Sequence, residues 1–266
     1  MSIIPGVKTV LLALLLTLAT SMLFGCSHVP HPKSPEQVAR ESTDEPPDAT
    51  AIAVLDALEL DAEQRTRVVA LRDRLKQELA ATEAPRQAFI DALLAELRAG
   101  KVDRARMAAP TAALVQAIES ARPAILDGLD ELHAILRPDQ RRALIDGIAA
   151  RREEQQGDAE EQMKRMNEQL DLGFSQKLRI GAALRDRLSD RKEEGKQLKE
   201  DREAAAAAFR EERFDARHLA VVEHLDLARW FDSFLIFAEV VVSELEPVQH
   251  ATLAAILEQR MRRDDG

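Results

Sequence analysis

Six histidines, one cysteine and 47 carboxylates are the side chains of this 266-residue chain best suited to acid–base, nucleophilic or metal chemistry. Their spacing supports little of it. His133 follows Asp130 by three residues, His218 follows Asp215 by three, and His224 follows Glu223 directly. A histidine and a carboxylate one helical turn apart can share a metal, but two ligands do not fill a transition-metal shell. No His-x-x-x-His pair is present, and His218 and His224 diverge on a helix. The spacing therefore predicts surface histidines and no metal site. His28 and His31 stand among prolines, where ligands are poorly pre-organised. No GxSxG, HExxH, P-loop or GxGxxG occurs. The expectation is a protein that is not an enzyme and uses no cofactor.

The single cysteine points elsewhere. Lys8 precedes an uncharged stretch from Val10 to Phe24, too short for a membrane span of about 20 residues and suited to a signal-peptide core. Leu23-Phe24-Gly25-Cys26 resembles the bacterial lipobox, in which the cysteine is lipidated and becomes the mature N-terminus. Phe24 is bulkier than that motif usually carries. Residues 1–25 are then a lipoprotein signal peptide, and Cys26 is the lipidation site. Ser27, by analogy with enterobacterial sorting, directs the protein to the periplasmic side of the outer membrane. Residues 26–50 hold Pro30, Pro32, Pro35, Pro46 and Pro47 among polar residues, and are expected to form a disordered tether.

The elements beyond the tether follow from composition and period. Aromatics make up only 3% of the chain, there is no Tyr, and 10 glycines are too few for the turns of a sandwich or barrel. The fold class is all-α. A net charge of −10 argues against nucleic acid as a partner. Three stretches recur in the same order. Leu58–Gln64 resembles Leu170–Gln176, Val102–Met107 resembles Phe214–Leu219, and Leu136–Gln140 resembles Leu245–Gln249. The offset is 112 residues for the first two and 109 for the third. This is read as a tandem duplication: a first repeat over 51–150, a charged helical connector over 151–169, and a second repeat over 170–263.

Each repeat is expected to be helical. Asp61 caps a helix with Gln64 closing a capping box, Pro85 interrupts, Gly100 ends a second helix, and Asp103 caps a long third one that Pro123 kinks. Residues 185–203 are expected to form a solvated helix. In the second repeat Trp230, Phe234, Phe237 and Val241 share a stripe that Phe231, Leu235 and Val242 widen to an arc of about 160°, beyond the roughly 100° of a single buried face. The plain reading is a larger core. The sharper one makes Trp230, Phe231 and Phe237 a surface for client binding or self-association.

Leu-x-x-x-Gln recurs at Leu60 to Gln64, Leu136 to Gln140, Leu172 to Gln176 and Leu245 to Gln249, with Pro138 and Pro247 inside two of the copies. This resembles the LTxxQ motif of the Spy/CpxP family of periplasmic proteins. The motif's Thr is replaced by Asp61, Arg137, Gly173 and Glu246. The resemblance implies helical hairpins whose motif residues stitch helix ends together, and dimerisation into a curved cradle. It implies ATP-independent chaperone activity toward unfolded or stress-exposed envelope proteins. A metal-responsive or envelope-stress regulatory role is the alternative, and a structural adaptor at the outer membrane a third. With two copies in one chain, the cradle is expected either within the molecule, as a pseudo-dimer, or between two chains.

Overall fold

The structure is a computed structural model that describes residues 54–55 and 58–264; of these, the side chains of 151–163, 165–166 and 259–264 are left aside. The signal segment, Cys26, His28, His31 and the tether lie outside the described residues. The described chain is helical, with no strand among the described residues. In order, α1 spans Ala62–Leu79, α2 Glu83–Arg98, α3 Arg104–Ile135 and α4 Pro138–Gln169. There follow α5 over Phe174–Arg187, α6 over Lys192–Arg210, α7 over Ala220–His224, α8 over Leu227–Glu244 and α9 over Pro247–Asp264.

The helix starts obey local chemistry. The Asp61 carboxylate accepts from Gln64 N at 2.9 Å and the Gln64 amide accepts from Asp61 N at 3.2 Å, the reciprocal capping box. Asp103 caps α3 through Ala105 N at 2.9 Å. The break between α1 and α2 falls at a 3₁₀ turn, Ala80–Thr82, and Pro85 sits in the first turn of α2 rather than between helices. That is where a missing N–H costs least. Past Arg98 the chain turns through Gly100 at φ +70°. A Cβ there would meet His250 Nδ1 at 2.6 Å, so only glycine fits. The expected connector is no separate element: α4 runs on through it for 32 residues. α3 also spans 32 residues unbroken, with Pro110 and Pro123 inside it.

Packing interleaves the two halves of the chain. α1 and α2 pack on α3, and α5 packs on α8. Across the halves, α2 packs on α9, α6 on α4, and α3 on α8. The larger core joins Phe89, Leu93 and Leu97 of α2, Met107 to Ile125 of α3, Phe231 to Val242 of α8, and Leu253 of α9. A smaller core joins Leu71, Leu132, Ile135, Leu136 and Leu144 to Phe209 of α6. Neither core belongs to one half.

The counterpart of α3 in the second half is interrupted. Asp215 caps a short turn, α7 lasts five residues, and the chain extends at Leu225 before Asp226 caps α8. α7 engages α6, which packs chiefly on α7 and α4 rather than on α8. The inward face of α6 is poor in apolar volume: its buried residues are Asp201, Arg202, Ala205 and Phe209. The solvated helix expected over 185–203 is thus corrected. The chain turns at Ser189–Arg191, and Asp201 is buried because Gln197 Nε2 donates to it at 2.9 Å and His224 Nδ1 lies 2.7 Å from it.

Candidate functional site

The motif glutamines form two clasps. In the first, Gln64 Nε2 donates to Gln140 Oε1 and to Ile135 O, both at 2.8 Å, while Gln140 Nε2 donates to Glu59 O at 2.8 Å. Arg137 N donates to Gln140 Oε1 at 2.9 Å. In the second, Gln176 Nε2 donates to Gln249 Oε1 at 3.0 Å and to Glu244 O at 2.8 Å, while Gln249 Nε2 donates to Leu170 O at 2.7 Å. Gly173 N and Glu246 N donate to the Gln176 and Gln249 oxygens at 3.0 and 2.7 Å. The bonds match in the two clasps except that Gln249 favours Leu170 O and meets Asp171 O, which stands where Glu59 does in the first clasp, at 3.4 Å. An amide supplies two donors and an acceptor at once, which is what tying two helix starts to a helix end requires. Leu60, Leu136 and Leu245 are buried beside the clasps, Leu172 packs on the larger core, and Pro138 and Pro247 begin α4 and α9. These residues hold the fold and present no reactive group.

The concavity lies between α6 and α8. It encloses about 280 Å³. Leu188, Leu198, Leu225, Trp230, Phe234 and Phe237 line it, with Gly195 at its α6 wall. A Cβ on Gly195 would meet nothing within 4 Å, so the wall is open there. The Trp230 and Phe234 rings lie nearly parallel, 11° apart with centroids at 6.1 Å. Phe234 in turn backs onto Phe89 of α2, at 6.2 Å. The aromatic wall of the groove therefore rests on the first half of the chain.

The rim is charged but internally paired. Arg229 Nε donates to Glu194 at 2.7 Å, and Asp226 is occupied in capping α8 through Arg229 N at 3.0 Å. Arg191 spans the floor of the 189–191 turn, donating to Arg229 O at 2.8 Å, to Ser233 Oγ at 2.6 Å and to Asp232 at 2.6 Å. Asp232 also receives Arg104 of α3, which binds Glu239 as well, and Glu239 receives Arg187 at 2.6 Å. This ladder of Arg191, Asp232, Arg104, Glu239 and Arg187 pins the end of α5 and the start of α3 to α8. Burial would raise the Asp232 carboxyl, but bonds from Arg191 and Arg104 outweigh it and hold it below the ordinary carboxylate value. Glu239 is held down in the same way, burial being outweighed by Arg104 and Arg187.

The aromatic residues singled out in the sequence separate. Trp230 and Phe237 line the groove. Phe231 does not: it is buried in the larger core, its ring edge-on to Phe89 at 5.2 Å, so it joins the halves and is closed to any partner. The groove's other walls, Leu188, Gly195 and Leu198, carried no signal, because a groove is a relation between helices. Exposed apolar side chains gather at the second clasp, where Phe174 is 78%, Val248 70% and Leu178 55% exposed. Their counterparts in the first half are Ala62, Asp139 and Thr66.

His218 is exposed, as expected of a surface histidine, and His224 half-exposed on the groove rim. His133 is not: it is only 6% exposed, with Phe209 and Phe214 rings at 5.2 and 4.9 Å. Its Nε2 bonds Glu211 O at 2.9 Å. Burial lowers its pKa, with Arg141 acting in the same direction. Among the described residues no group of three or more His, Cys, Asp or Glu is placed to hold a metal ion, and no helix is long and apolar enough to cross a membrane. No protein family, no curated protein and no solved structure matches the chain.

Proposed function

We propose that this chain is a lipid-anchored periplasmic protein of the Spy/CpxP kind that holds unfolded envelope proteins without ATP. In this reading Cys26 carries the lipid at the outer membrane and the proline-rich tether lets the helical body range from it. The observation that carries the proposal is the apolar groove between α6 and α8, walled by Trp230, Phe234 and Phe237. The exposed Phe174, Leu178 and Val248 add apolar surface in the same half. A chain of net charge −10 keeps such surface soluble when loaded. No nucleotide motif in the sequence conflicts with ATP-independent work.

The kinship is supported by the two clasps, in which the four motif glutamines make the same inter-glutamine and helix-end bonds in each half. The tandem duplication and the intramolecular pseudo-dimer are supported by exchange symmetry. α2 on α9 is the counterpart of α6 on α4, and α3 on α8 is its own counterpart. Arg98 pairs with Glu258 of α9, and its counterpart Arg210 with Asp146 of α4, the two carboxylates lying three residues out of register. A two-fold interface has this property, each contact occurring twice with roles swapped.

The test is aggregation of a reduced, unfolded client with and without the soluble body, residues 27–266, in the absence of ATP. Suppression near one body per client supports the proposal. No suppression at several-fold excess ends it. The lipid claim is tested separately: palmitate labelling of the full chain in a bacterium should be lost in Cys26→Ala.

A further inference from the structure

We infer that the α6–α8 groove receives one uncharged aromatic side chain of a partner polypeptide. The inference rests on the holding role proposed above and names what that site selects.

Size sets the first limit. About 280 Å³ lies below the usual range of small-molecule pockets, roughly 300–1,000 Å³. That is room for one bulky side chain. Chemistry sets the second. Two rings and three leucines line the space beside Phe237, and aromatic groups gain from offset or edge contact with such rings beyond simple burial. Electrostatics sets the third. Arg229 is committed to Glu194, Arg191 to Asp232 and Asp226 to the α8 cap. An anionic occupant would shed its water and find both arginines already paired, which penalises it. The fourth is access. Gly195 leaves the α6 wall open, so a side chain can enter while its backbone stays outside, near the polar rim of Gln197, His224 and Ser233.

The same place in the first half is closed by the chain itself. Leu75 of α1 lies against Gly128 of α3, 3.0 Å from where a Cβ would stand, and Leu79 is 2% exposed. In the second half the aligned positions are Arg187, Phe237 and Arg191. Arg187 turns away to Glu239 and Arg191 to Asp232, while Phe237 faces the empty space. The occupant thus takes the place of packing that the first half supplies internally.

Trp230 is the only Trp and the chain has no Tyr, so its fluorescence reports the groove alone. The soluble body is titrated with N-acetyl-phenylalanine amide, phenylacetate, N-acetyl-leucine amide and a capped Ala-Ala-Phe-Ala-Ala peptide. The neutral aromatic amide should bind at least fivefold more tightly than phenylacetate or the leucine amide. The peptide should bind severalfold more tightly than the single amide. Gly195→Leu, which fills the opening, and Leu198→Gln, which strips a wall, should each weaken binding tenfold or more. Far-ultraviolet circular dichroism checks that each variant is folded. Equal binding of phenylacetate, no gain from the peptide, or undiminished binding in both folded variants overturns the inference. Aggregation suppression is read separately: its absence in a body that binds the peptide removes the holding role and leaves the groove's ligand assigned.

Discussion

Gln140 occupies a site 4% exposed and makes hydrogen bonds with Gln64, Arg137 and the Glu59 carbonyl. Removing its amide strands buried donors and acceptors that water cannot reach. Gln140→Ala should cost about 1–3 kcal/mol per group left unsatisfied, read as a lower urea midpoint. His133 makes a pH prediction. Burial lowers its pKa, so the folded state keeps the ring neutral while the unfolded ring titrates near its ordinary value of about 6.5. Its contribution is complete above that pH and fades as pH falls through it toward the lowered folded value. Stability should drop as pH falls below about 6.5 more steeply in the native protein than in His133→Gln. Capping at Asp61 and Asp103 was legible in the sequence because capping is local. The burial of His133 was not, because Phe209 and Phe214 reach it from the other half of the chain.

Among the elements, α6 carries the plainest consequence. Gly195 lies inside a helix, at a position that needs no glycine conformation, and a Cβ there meets no atom. Alanine has a helix propensity better by about 1 kcal/mol and restricts the unfolded chain. Gly195→Ala should raise stability by about 0.5–1 kcal/mol in chemical denaturation. Gly100→Ala should do the opposite, since Gly100 combines a positive φ with the His250 ring. Periodicity made the helices of the first half readable, with Pro85 misplaced by a few residues. It did not reveal how α6 would lean. Ala205 and Asp201 on its inward face weaken its hold on α8, and the break at Leu225 moves α7 toward it. Spacing within one helix carries no record of which neighbour it prefers.

For the whole molecule, α2 packs on α9 and α6 on α4, the contacts that the proposed pseudo-dimer of two repeats would make within one chain. Tethering removes the association entropy a dimer would incur. The soluble body should therefore run as a monomer in light scattering at micromolar concentration; an obligate dimer would refute the intramolecular arrangement. The all-helical class was legible from composition, and the groove was not, because it arises where the second half departs from the first. The interleaving has one more consequence, at the turn over 211–215. A protease nick there would sever α1–α6 from α7–α9, yet α8 would remain seated on α3 and α5, and α9 on α2. The two fragments would travel together as one particle and part only in denaturant.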